Sequence, residues 1–200
     1  GALRAPYAET AERAQVTAAT DRRLQSLDGQ PAGAVLNRWL DDSLALQLAE
    51  GGNILAQTAL RPLALRHQVG ASTHYLTIHP AQLHAADGSV DLFARIATGD
   101  QLCLMSGSVD GLIGVLGDLH AQTRAQLAPE KTRAAILIYC AGCAGAVGPA
   151  LDQGLRMCLG PLLGSVPLLG LCTFGEQGHV PGLGNVHQDL SVSLLLLGEP

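Results

Sequence analysis

The sequence predicts an α+β fold, a mixed and largely antiparallel sheet with helices packed on it. Three observations predict this class. Residues 63–105 read as consecutive short strands separated by turn residues, which argues for antiparallel pairing. After Ser106 the apolar period lengthens to that of a helix. A continuous apolar run, Ala134-Ala135-Ile136-Leu137-Ile138-Tyr139, then marks a central strand covered on both faces. This order lacks the strict strand-helix alternation of a doubly wound sheet. With 200 residues, 48% hydrophobic and 14% charged, the chain is long and apolar enough for a real core and is not disordered. It reads as a single domain over 1–200, with 1–15 as a linker or boundary segment.

Taken in order, residues 23–29 form a short strand closed by the turn Asp28-Gly29, and Pro31 stands where the first residue of a helix tolerates a missing N–H. A helix through Ala34, Leu36, Trp39 and Leu40 follows. Residues 43–60 fit helix and strand equally, with Gly51-Gly52-Asn53 as a break. Strands are expected over 62–69, 73–79, 82–85, 90–96 and 101–105, with turns at Asp87-Gly88 and Gly99-Asp100. Leu112, Val115, Leu116, Leu119 and Leu127 share one face of a helix that starts near Ser108 or Asp110 and ends before Pro129. The apolar run over 134–139 empties into a glycine loop, Cys140 to Gly148, and a helix to about Leu159. Strands over 167–173 and 190–197 close the chain.

Composition excludes several functions. Twelve basic against seventeen acidic residues leave a net charge of −5, and the basic set is eleven arginines plus Lys131. No basic stripe is available to neutralise a phosphate backbone, and the six aromatics supply no stacking platform for bases, so no nucleic-acid partner is expected. Five scattered cysteines (Cys103, Cys140, Cys143, Cys158, Cys172) suit reduced thiols in a cytoplasmic protein. Residues 1–20 lack the apolar stretch of a secretion signal. The uncharged stretch 157–175 is broken by Pro161, Pro167 and three glycines, so no membrane span is expected; it reads as a helix end, a loop and a buried strand.

Four constellations bear on chemistry. The loop with Gly142, Gly145 and Gly148 follows a central strand and opens a helix, where exposed amides can meet an anion; its other reading is a close strand-to-helix turn. It matches neither a P-loop nor a dinucleotide fingerprint. Cys140-x-x-Cys143 admits a redox dithiol, half of a zinc site that lacks its other ligands, or small residues in a tight turn. His74, His79 and His84 recur every five residues, a spacing that alternates faces of a strand, so solvated histidines are expected there and no metal site. Finally, Glu176 lies between Gly175 and Gln177-Gly178 at the end of an apolar strand, with His179, His187 and Asp189 beyond it. No Lys or Arg occurs after Arg156. Glu176 is therefore either solvated, met by an arginine from elsewhere in the fold, or displayed for a cationic ligand group. No serine elbow or zinc-protease motif is present.

Over 16–197 the sequence resembles the C-terminal half of the FIST domain, a sensory domain of bacterial signal-transduction proteins and of eukaryotic F-box proteins. The resemblance rests on Leu27-Asp28-Gly29-Gln30-Pro31-Ala32, on the apolar strand ending in Cys140-Ala141-Gly142, on Pro167-x-x-Gly170 leading to Thr173-Phe174-Gly175-Glu176-x-Gly178, and on His187 before the last strand. Two departures stand out. Cys143 replaces an arginine that often follows the family's Cys-x-Gly, and Gln188-Asp189-Leu190 replaces a segment with a hydroxyl, unless Ser191 supplies it. The resemblance implies a cytoplasmic input module that binds small molecules, with amino acids the proposed ligands. It would work with an N-terminal FIST half, which this chain does not contain, or with a signalling output protein. The implied ligand site gathers Cys140, Gly142, Cys143, Gly145, Thr173, Gly175, Glu176 and His187, with no cofactor, no metal and no catalytic residue. The alternatives are a cysteine-dependent thiol or redox enzyme, with Cys140 as nucleophile and His187 or His179 as base, and a protein-interaction scaffold.

Overall fold

The computed structural model describes residues 1–199. The chain divides into two compact units, one of residues 8–106 and one of residues 1–7 together with those from Gly107 on. The chain expected from its length to be one domain thus comprises two compact units, each with its own sheet. Residues 1–15 are not a linker: they hold β1 (Ala2–Arg4), which belongs to the second unit, and the first part of β2 (Ala8–Thr20).

The 8–106 unit continues with β3 (Arg23–Leu27), β4 (Gln30–Pro31), α1 (Ala32–Trp39), α2 (Ala45–Glu50), β5 (Gly52–Asn53), α3 (Leu55–Thr58), β6 (Leu63–Val69), β7 (Ser72–Ile78), β8 (Pro80–Leu83), β9 (Val90–Leu92) and β10 (Gln101–Ser106). Its sheet runs β5-β8-β9-β3-β2-β10-β6-β7 with β4 against β3, antiparallel throughout. The turn after β3 holds Asp28 and Gly29 at φ 47° and 76°, the left-handed pair that a tight antiparallel turn requires. Leu24, Leu27, Leu36, Leu63, Leu83 and Leu104 fill the core. Residues 43–60, undecided by periodicity, become two short helices around Gly51 and Gly52. Of the three histidines expected in solvent, His79 is buried and His74 and His84 are half-buried. His79 is buried, with Nε2 3.1 Å from the Leu55 carbonyl, and burial lowers its pKa. His84 Nε2 lies 2.7 Å from Asp91 Oδ2.

The second unit adds α4 (Val109–Leu127), β11 (Thr132–Cys140), α5 (Ala141–Val147), α6 (Ala150–Cys158), α7 (Gly160–Leu163), β12 (Leu168–Thr173), β13 (Glu176–Val180), β14 (Gly184–Gln188) and β15 (Val192–Gly198). Ser108 caps α4, its hydroxyl accepting from the Gly111 N–H at 3.0 Å. The sheet order is β1-β15-β11-β12, and only the β11/β12 pair is parallel. Leu112, Val115, Leu116 and Leu119 of α4 are buried, as are Leu137 and Tyr139 of β11 and Val192, Leu194 and Leu196 of β15. The Tyr139 hydroxyl donates to the Leu112 carbonyl at 2.8 Å, and the Thr123 hydroxyl reaches that of Leu194, which ties helix to sheet.

Two expectations fail on this sheet for one reason. The run 134–139 is buried on one face only, with Ala134, Ile136 and Ile138 half-buried on the other. The strand expected to be buried, β12, is an exposed edge. An apolar run reports affinity for burial, not which face receives a covering layer. On the outer face Leu195, Ile136 and Leu169 stand in one row across β15, β11 and β12, with Ile138 and Leu171 beside them. Leu169, Leu171, Leu195 and Leu197 are exposed. No helix among the described residues is long and apolar enough to cross a membrane.

Candidate functional site

The parallel pair sets the site. β11 and β12 end side by side, Cys140 opposite Thr173, and the chain leaves both ends on the same edge. In sheets with parallel strands, ligands gather beyond the carboxyl ends. The glycine loop expected after β11 is the short helix α5, because alanine-rich sequence closes a turn as soon as the strand stops. Cys140 caps it in an extended conformation (φ −61°, ψ 133°). The N–H groups of Gly142 and Cys143, expected to be free for an anion, lie in the first turn of α5 beside the Cys140 sulfur and lower its pKa together with the Leu190 N–H.

Cys143 is one helical turn beyond Cys140, which brings the two sulfurs into hydrogen-bond contact. The bond from Cys143, reinforced by the three backbone N–H groups, holds the Cys140 thiol pKa well below that of a free cysteine. The same bond and burial push Cys143 far up, so Cys143 is the S–H donor and Cys140 the thiolate. Tyr7, which sequence reasoning left in the boundary segment, places its hydroxyl 3.7 Å from Cys143 Sγ. Burial raises its pKa strongly, so the phenol keeps its proton. Its ring lies against Gly107, where an added Cβ would come within 2.5 Å of Cδ1.

Glu176 is not displayed on an open backbone. It is 1% exposed and starts β13 with its side chain turned inward. The Thr173 hydroxyl donates to Oε1 at 2.9 Å, and the Ser191 N–H and hydroxyl both donate to Oε2 at 3.2 Å. Cys140 N–H in turn donates to the Ser191 carbonyl at 3.1 Å, closing a circuit through the ends of β11 and β12 and the segment before β15. Burial, and then the negative Cys140 sulfur, raise the carboxyl to about 8 against these hydrogen bonds. The missing cation is thus answered by a fourth possibility: the carboxyl is neutral near pH 7. Ser191 supplies the hydroxyl that the sequence lacks at Leu190.

His187 lies apart from this circuit. In the β13/β14 ribbon Glu176 faces Gln188 and Gln177 faces His187, so Glu176 and His187 point to opposite faces. Glu176 and Gln188 are buried, whereas the His187 side chain is 44% exposed, with Nε2 3.5 Å from Asp189 Oδ1. Its ring covers Gly175, where an added Cβ would sit 2.3 Å from Cε1. Gly145 is carried by α5 to an exposed position with open space at its Cα. Phe174, between Thr173 and Gly175 in the motif but not among the expected site residues, is 87% exposed. The ribbon itself, read as a loop, was missed because Gly175, Gly178, Gly182 and Gly184 mask its alternation. Among the described residues, no group of three His, Cys, Asp or Glu side chains is placed to hold a metal ion.

The parallel edge thus gathers a thiolate, a buried carboxyl and two hydroxyls in one cluster. A sequence model of the FIST C domain matches residues 32–179. The chain belongs to the FIST C domain family, whose members are generally described as small-ligand-binding sensory domains of signal transduction. No curated protein and no solved structure matches the chain.

Proposed function

We propose that this chain is a cytoplasmic ligand-sensing domain that binds an amino acid beyond the ends of β11 and β12, against Thr173, Gly175 and Glu176. The observation that carries the reading is the convergence of residues from 140–143, 173–176 and 190–191 on one buried carboxyl. An ammonium group is the partner that makes ionised Glu176 stable where it is, and Phe174 offers apolar surface beside it. A ligand acts by favouring one arrangement of this circuit, and its effect on a partner is bounded by that differential affinity. The apolar outer rows at Leu169, Leu171 and Leu195 give the reading a place for the partner it needs, an N-terminal FIST half or an output protein.

A thermal-shift screen of the standard amino acids tests the proposal. A ligand at a hundred times its Kd adds about 2.7 kcal/mol, which is several degrees. Because the free carboxyl holds its proton up to about pH 8 and the ligand needs it ionised, affinity is expected to rise about tenfold per pH unit below that value. A binder whose affinity is flat between pH 6 and 8 does not use Glu176.

A further inference from the structure

Cys140 and Cys143 stand three residues apart across the junction of β11 and α5, their sulfurs in hydrogen-bond contact. Across one helical turn the Cα atoms are about 5 Å apart, within the span that a disulfide bridges. The surroundings treat the two sulfurs unequally. Cys140 stands at the N-cap of α5, beside the positive end of the helix, and the Tyr7 hydroxyl backs Cys143. Leu190 lies in the segment that closes over Cys140. Leu190 is a buried branched residue held at φ 53°. Leucine takes that left-handed conformation only where the surrounding structure enforces it, and such strain concentrates at functional positions. The other thiols differ: Cys103 is buried against the Ala64 carbonyl and Met105 Sδ and pushed up by burial to about 12, while Cys172 lies exposed on β12.

We infer that Cys140 and Cys143 form a redox dithiol, which a small hydroperoxide oxidises to an intramolecular disulfide. Cys140 is 4% exposed, which favours a small hydroperoxide over a peptide disulfide as the oxidant. The Cys140 thiolate attacks the terminal peroxide oxygen. An S–O bond forms, the O–O bond breaks, and the alkoxide or hydroxide leaves after taking a proton from solvent. Cys143 then attacks the sulfenic sulfur: the S–S bond forms, the S–O bond breaks, and hydroxide leaves as water with the proton Cys143 gives up. Two electrons pass from the sulfurs to the peroxide, so dithiol plus hydroperoxide gives disulfide, alcohol and water. With hydrogen peroxide the products are the disulfide and water. The disulfide removes the negative sulfur that faces Glu176, and a thiol reductant restores it. This inference stands whether or not the cluster takes an amino acid.

The test is graded hydrogen peroxide on the native chain, followed by thiol blocking and peptide mapping. The expected result is a Cys140–Cys143 disulfide, reversed by dithiothreitol, that forms about tenfold or more faster than Cys172 is modified. Cys143→Ser is expected to stop at a Cys140 sulfenic acid, which dimedone traps when the oxidised chain is unfolded in urea. Oxidation of Cys172 while Cys140 and Cys143 stay reduced overturns the inference, as does a disulfide joining other cysteines. The comparison within the native chain needs no variant to fold.

Discussion

Glu176→Gln is expected to make the chain more stable than the wild type above pH 8, although it removes a buried hydrogen-bonded residue. In the folded chain the carboxyl is raised to about 8, against roughly 4.3 when unfolded. The folded state therefore holds a proton that the unfolded state gives up. The stability this contributes is complete below the unfolded value and is lost as pH rises through the folded one. Cys140 acts in the opposite sense: its folded pKa is depressed, so its contribution is present above the unfolded thiol value of about 8.5 and is lost as pH falls through the folded value. Between about pH 5 and 8 the two slopes oppose each other, each up to about 1.4 kcal/mol per pH unit, and the wild type shows little net dependence. Glu176→Gln leaves the thiol alone and gives stability that rises with pH, with a gain over the wild type on the order of 2–4 kcal/mol above pH 8. Cys140→Ser removes the negative sulfur that helps raise the carboxyl but keeps its burial, and gives stability that falls with pH. Urea denaturation across this range reads both slopes, and parallel curves for the two variants contradict the assigned charge states.

Gly175→Ala is expected to cost about 2–3 kcal/mol, in two separable parts. One is backbone: φ is 86°, where a side chain is strained by about 1–2 kcal/mol. The other is steric, because the new methyl would meet the His187 ring. In a His187→Ala background the steric part disappears and the backbone part stays, so the same substitution is expected to cost about 1 kcal/mol less there. Equal costs in the two backgrounds, measured by urea denaturation, mean that the ring does not rest on Gly175.

The sequence carried much of this architecture, and the gaps have physical causes. Turn chemistry at Asp28-Gly29, the cap at Ser108 and the five-leucine-and-valine face of α4 were legible because each is a local rule that tertiary context did not override. The residues of the site were legible as types: the small residues after β11, and a carboxylate near glycines after β12. Their state was not. No cation is near Glu176 in sequence, and none is needed: burial keeps the carboxyl neutral near pH 7, with Thr173 and Ser191 bonding it once β12 and β15 flank β11. Tyr7 lies 136 residues from Cys143, a pairing no local pattern encodes. His187 was grouped with Glu176 by proximity, whereas the alternation of a ribbon hidden by glycines sends it to the opposite face. The edge position of β12 depends on topology, which an apolar run does not report.

Amide hydrogen exchange on the native chain, with and without a saturating amino acid from the screen, tests the central claim most directly. The account predicts slowed exchange in 140–143, 173–177 and 190–191, where the backbone circuit closes on Glu176, with the effect weakened in Glu176→Gln. Protection confined to residues 8–106, or equal protection in the variant, would place recognition elsewhere and contradict it.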